Sequence, residues 1–133
     1  MSDIETDRLQ ALRGKPKDLD RLVDSQDPAT LRLVASHGIR SHLDKLVTHP
    51  DPGVRTMVAV HGRGYHHDIL VSDENEMVRT AVATHGRVKH QRYLLGDDSP
   101  TVRNAASKSL EVRQFVTKYM KQKSPFRDLV EPF

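Results

Sequence analysis

The sequence predicts an all-α fold, a solenoid of about five helical repeats of 24 residues. Three observations lead there. The stretch VRTAVATHG from Val78 to Gly86 recurs almost unchanged as VRTMVAVHG from Val54 to Gly62, with a weaker copy over Thr30 to Gly38 and a fading one that starts with VRNAA at Val102. The same offset aligns Leu22, Leu46, Leu70 and Leu94, and relates Asp27-Pro28 to Asp51-Pro52. Finally, only 36% of the residues are hydrophobic and there is no Trp, which suits a thin core in which each unit is stabilised by stacking on its neighbours.

Taken in order, residues 1–26 read as an N-terminal capping repeat: Leu9, Ala11 and Leu12 are its apolar positions, and Arg13-Gly14 stands where His37-Gly38 comes one period later. In repeat 27–50, Asp27 caps a helix that begins with Pro28, and Leu31, Val34 and Ala35 face its core. Gly38 is expected to end that helix by taking positive φ. A short second helix covers roughly Ser41 to Val47. Repeat 51–74 has Val54, Met57, Val58 and His61 at the i, i+3, i+4, i+7 spacing of one helical face, followed by the short apolar run Ile69, Leu70 and Val71. Repeat 75–98 reproduces that face with Val78, Ala81, Val82 and His85. Segment 99–123 reads as a C-terminal cap. Its expected His-Gly is Ser109-Leu110, so Leu110 to Lys121 is expected to form one longer helix with Leu110, Phe115, Val116, Tyr119 and Met120 on its apolar side. Residues 124–133 are a tail whose Phe126, Leu129, Val130 and Phe133 either pack on the solenoid or bind a partner.

At Asp51-Pro52 to Val71 and again at Glu76 to Leu95 the chain resembles the leucine-rich repeat variant family and, more loosely, the HEAT-like solenoids. The resemblance implies α-helices alternating with short α or three-ten helices, wound into a right-handed superhelix. Two departures stand out: His-Gly replaces the family's frequent Asn-Pro, and the cysteine-rich iron-sulfur segment of some members is absent.

Two kinds of polar column follow the period. Arg55, Arg79 and Arg103 are read as a structural ladder, each guanidinium bridging repeats to an aspartate such as Asp51, Asp73 or Asp97, or to a helix-end carbonyl. His37, His61 and His85 are read as helix-end caps packed toward the core, their rings meeting unpaired carbonyls. A second histidine column is His42, His66 and His90; in the adjacent pair His66-His67 at least one ring is expected to be exposed. Arg40, Arg63, Arg87 and Lys89 follow the helix-ending glycines and form the preferred binding surface, with Tyr65 and Tyr93 as aromatic contacts.

The chain carries 21 Lys and Arg against 18 Asp and Glu, a mild excess that permits an acidic partner or nucleic acid, with Arg40, Arg63, Arg87 and Lys89 favouring an acidic protein or peptide. Having no cysteine, it offers no disulfide, thiol nucleophile or thiolate metal site. No phosphate loop, serine elbow or metallohydrolase motif is present, and no metal or cofactor is expected. No stretch has the length and apolarity of a signal peptide or membrane span. The expectation is therefore a non-enzymatic, cytoplasmic interaction module for an acidic protein or peptide, with sequence-tolerant phosphate-backbone binding as the alternative and no membrane partner.

Overall fold

Every 24 residues a short polar side chain starts a long helix: Asp3, Asp27, Asp51, Asn75 and Ser99 each accept a backbone N–H from the first turn, as in Asp51 Oδ2 to the Val54 amide at 2.9 Å. In the computed structural model, which describes residues 3–123, the described residues form nine α-helices and no strand. Long helices α1 (Ile4–Arg13), α3 (Pro28–His37), α5 (Pro52–His61) and α7 (Glu76–His85) alternate with short helices α2 (Pro16–Leu22), α4 (Arg40–Leu46), α6 (Gly64–Leu70) and α8 (Val88–Leu94). The last helix, α9, runs from Pro100 to Lys123. The tail and its expected role lie outside the described residues.

Successive long helices pack directly on one another, α1 on α3, α3 on α5, α5 on α7 and α7 on α9. Each short helix from α2 to α8 packs against the long helix on either side of it in the chain. This repeat-like stacking is the pattern of a helical superhelix. Close approach is possible because the facing positions are small: Ala11, Ala35, Ala59 and Ala83 form one fully buried row, and Val34, Val58, Val82 and Ala106 another. Leu22, Leu46, Leu70 and Leu94 plug the space between the layers from the short helices. Truncating one of these leucines to Ala would cost about 2–5 kcal/mol.

The short helices are α-helical, seven residues each, rather than three-ten. The glycines that end α3, α5 and α7 also depart from expectation. Gly38, Gly62 and Gly86 have φ of −78°, −79° and −74°, so none uses the left-handed region. They are glycine for want of space: a Cβ on Gly62 would stand 2.5 Å from the Val58 carbonyl oxygen and 3.0 Å from the His66 ring. Gly14 alone among the described residues has positive φ, 71°.

The arginine column divides its partners. Arg55 holds Asp73 through Nε and Nη2 at 2.8 and 3.1 Å and donates through Nη1 to the carbonyls of His49 and Pro50. Arg79 repeats this with Asp97 and the Asp73 carbonyl. Arg103 meets only the carbonyls of Asp97 and Asp98. Asp51 is not a partner of this column, because it caps α5 and pairs with Arg32.

At the C-terminus the chain does not begin a new helix at Leu110; α9 continues unbroken from Pro100, since no glycine interrupts it. Its expected apolar side also points elsewhere. Arg113 donates to Gln91 Oε1 at 2.7 Å and to the Gly86 carbonyl at 2.8 Å, which turns its own face toward α8 and leaves Phe115, Val116, Tyr119 and Met120 in solvent.

Candidate interaction edge

Because the long and short helices alternate up and down, all turns from a long to a short helix fall on one edge of the stack and all turns back fall on the other. The first set consists of residues 13–16, 37–40, 61–64 and 85–88. It contains Arg13, Lys15, Arg40, Arg63 and Arg87, with Lys17 and Lys89 just inside the following helices, and no Asp or Glu. The opposite set contains Asp24, Asp27, Asp51, Asp73, Glu74, Asp97 and Asp98 and no Lys or Arg. Asp27, Asp51, Asp73 and Asp97 of the second set are paired with Arg8, Arg32, Arg55 and Arg79, so most of the charge on that edge is compensated.

A histidine at the third position of three short helices builds the basic edge. His42, His66 and His90 are buried, and their Nδ1 atoms accept the backbone N–H of Ile39, Arg63 and Arg87 at 3.1, 2.8 and 3.0 Å. The ring thereby does what Glu does in a capping box. With Nδ1 accepting, the proton sits on Nε2. That Nε2–H donates to a carboxylate on the preceding short helix: His42 to Asp20 at 2.6 Å, His66 to Asp44 at 2.8 Å and His90 to Asp68 at 2.6 Å. Each rung spans 22 residues and ties one short helix to the next. The ladder ends at α8, where Arg92 occupies the position of Asp44 and Asp68.

This ladder was not among the expected site features. Its signal was present as His-x-Asp in His42-Leu43-Asp44 and His66-His67-Asp68. Both rings of the adjacent pair are buried, contrary to expectation. A short helix flanked by two long helices and tied to its predecessor has a buried arc wide enough for side chains 100° apart. His67 turns into the core and its Nε2 bonds to the Ala59 carbonyl at 2.7 Å, while its Nδ1 has no partner among the described residues. Burial holds its pKa below the ordinary 6.5, with His90, His66 and His85 adding repulsion against the Ala59 hydrogen bond.

The first histidine column stands at the helix ends but not in the core. His37, His61 and His85 are exposed at the ends of the long helices, so they are not core residues. His37 Nδ1 meets the Leu33 carbonyl at 3.1 Å, whereas His61 and His85 make no hydrogen bond to a described residue. Desolvation and then the charges of His85 and His37 hold the His61 pKa below the ordinary range.

The expected binding residues differ in freedom. Arg63 and Arg87 carry exposed guanidiniums with no hydrogen bond or ion pair to a described residue. Arg40 lies over the Tyr65 ring, 5.7 Å from its centroid, and Tyr65 donates its hydroxyl to Asp44. That hydrogen bond, and then the one from His66, holds the Asp44 carboxyl below its ordinary range against desolvation. Lys89 pairs with Asp68 at 3.1 Å. Tyr93 projects into solvent at 65% exposure, away from this cluster.

No protein family, curated protein or solved structure matches this chain. Among the described residues no group of three or more His, Cys, Asp or Glu side chains is placed to hold a metal ion, and no helix is long and apolar enough to cross a membrane.

Proposed function

We propose that the chain is a non-enzymatic interaction module that binds an acidic protein or peptide along its basic edge. The observation that carries this reading is the absence of carboxylates from the turns that hold Arg13, Arg40, Arg63 and Arg87, whereas most aspartates of the opposite turns are already paired with arginines. Arg63 and Arg87 are the principal donors, because neither is spent on an internal partner. They occupy consecutive layers, and packed helices stand about 8–10 Å apart. A peptide in the polyproline II conformation advances about 3.1 Å per residue and returns to the same face every third residue, so acidic side chains three residues apart match that interval. Arg40, Lys89 and Tyr65 flank the pair. As part of the same reading, the chain is a right-handed superhelix of about five 24-residue repeats, akin to leucine-rich repeat variant solenoids, supported by helix caps at Asp3, Asp27, Asp51, Asn75 and Ser99.

A continuous phosphate backbone fits the edge less well, since it carries a charge at every nucleotide and must pass the exposed Asp44 and Asp68 on α4 and α6, whereas a peptide can set neutral residues opposite them. The test is fluorescence anisotropy with a synthetic peptide carrying Glu at every third position, and with a mixed-sequence single-stranded oligonucleotide. Peptide binding that falls about tenfold or more in Arg63→Glu/Arg87→Glu, with unchanged thermal stability, is expected. Stronger binding of the oligonucleotide, with a steep salt dependence, replaces the peptide reading with the nucleic-acid one.

A further inference from the structure

We infer that the outward face of α9 pairs with the same face of a second copy of this chain, the two helices running antiparallel. Residues 111–122 of α9 are exposed throughout, yet their faces differ. Leu110, Arg113, Gln114 and Thr117 line a groove against Val88 and Arg92 of α8, with Lys118 and Lys121 also on its lining, so this is the face by which the helix docks and Lys118 stands at the border between the two faces. The opposite face carries Val112, Phe115, Val116 and Tyr119 at 60%, 69%, 49% and 49% exposure, with Phe115 and Tyr119 rings stacked 6.2 Å apart. Their spacing is i, i+3, i+4 and i+7, the stripe by which one helix seats on another.

The amphipathicity is inverted for a terminal cap, which normally turns its polar side outward. The charges beside the stripe name the occupant. Written as a heptad with Val112 and Tyr119 at a and Phe115 at d, Glu111 and Lys118 both fall at g. They lie on the same flank, seven residues apart, and neither bonds to a described residue. When two such helices run antiparallel, like flanks face each other. Glu111 then meets Lys118 of the second copy, and Lys118 meets Glu111 of the second copy. A patch that complements itself under a two-fold axis is what an isologous dimer requires.

The test is sedimentation equilibrium of the full chain from low micromolar to near-millimolar concentration. A monomer–dimer equilibrium is expected, and Phe115→Asp should raise its Kd about tenfold or more while circular dichroism stays unchanged, because the side chain is exposed. Glu111→Lys and Lys118→Glu should each weaken the dimer. The double variant should restore it, and the two single variants mixed together should pair with each other. A monomer at every concentration, a dimer indifferent to Phe115→Asp, or a double variant no better than the singles would each overturn the inference.

Discussion

His66 holds two neighbours at once: its Nδ1 accepts the Arg63 N–H of its own helix at 2.8 Å, and its Nε2–H reaches Asp44 of the preceding short helix at 2.8 Å. His66→Ala removes a buried ring, strips α6 of its N-terminal acceptor and unties two layers. It should cost about 2–4 kcal/mol in urea unfolding. Asp44→Asn should cost much less, because Asp44 is solvated and the amide oxygen still accepts from Nε2–H. Equal costs would show that the carboxylate charge, not the ring's place, carries the rung.

The ion pair of Arg55 with Asp73 is almost wholly enclosed, with side-chain exposures of 10% and 9%. Arg55→Ala would leave that carboxylate with only the Asn75 backbone N–H, and two carbonyls without donors, at about 3–5 kcal/mol. Arg55→Lys should recover little, since one ammonium cannot reproduce the fork. Arg103 has only carbonyl partners, and Arg103→Ala should fall near 1 kcal/mol. Chemical denaturation of the three variants side by side gives the order.

Gly62→Ala and Gly96→Ala make a paired test of what the glycines are for. The first would drive a Cβ to 2.5 Å from the Val58 oxygen, while the second meets nothing nearer than the Tyr93 oxygen at 3.8 Å. We expect a loss of about 1–3 kcal/mol at Gly62 and a gain of a few tenths at Gly96 in thermal melts.

His67 predicts a pH dependence whose sign is fixed by its depressed pKa. Above the ordinary value of 6.5 the ring is neutral in both states and its contribution is complete. As pH falls below 6.5 the unfolded chain takes up a proton that the buried ring resists, and stability is lost until the folded pKa is passed. Gln91 occupies the equivalent position in the next repeat and bonds to the Ala83 carbonyl through Nε2. His67→Gln should therefore keep the bond to Ala59 and flatten the slope of unfolding free energy between about pH 7 and 5, relative to the parent. An unchanged slope would assign the dependence to other groups.

The helices were legible because their causes are local. Asp27-Pro28 and Asp51-Pro52 announce helix starts, and Val54, Val58 and Ala59 mark one buried face. The basic edge was legible in part, since Arg63 and Arg87 follow glycines that stop a helix. What could not be read directly was which residue meets which across layers. Asp44 and His66 are 22 residues apart, so their columns look unrelated until the layers are stacked. The fate of His66-His67 was hidden for the same reason: helical spacing separates the two rings, but only the neighbouring helices decide how wide an arc is covered. The glycines were recognised as terminators on the wrong ground, because backbone freedom explains Gly14 and crowding explains Gly62.

With Asp27, Asp51, Asp73 and Asp97 compensated by arginines, the unpaired guanidiniums of Arg63 and Arg87 leave a local positive field at one edge. An acidic body drifting within a Debye length, about 10 Å at 0.1 M salt, would be turned toward that edge before it felt a contact. Orientation would then precede collision, and added salt would slow arrival more than it hastened departure.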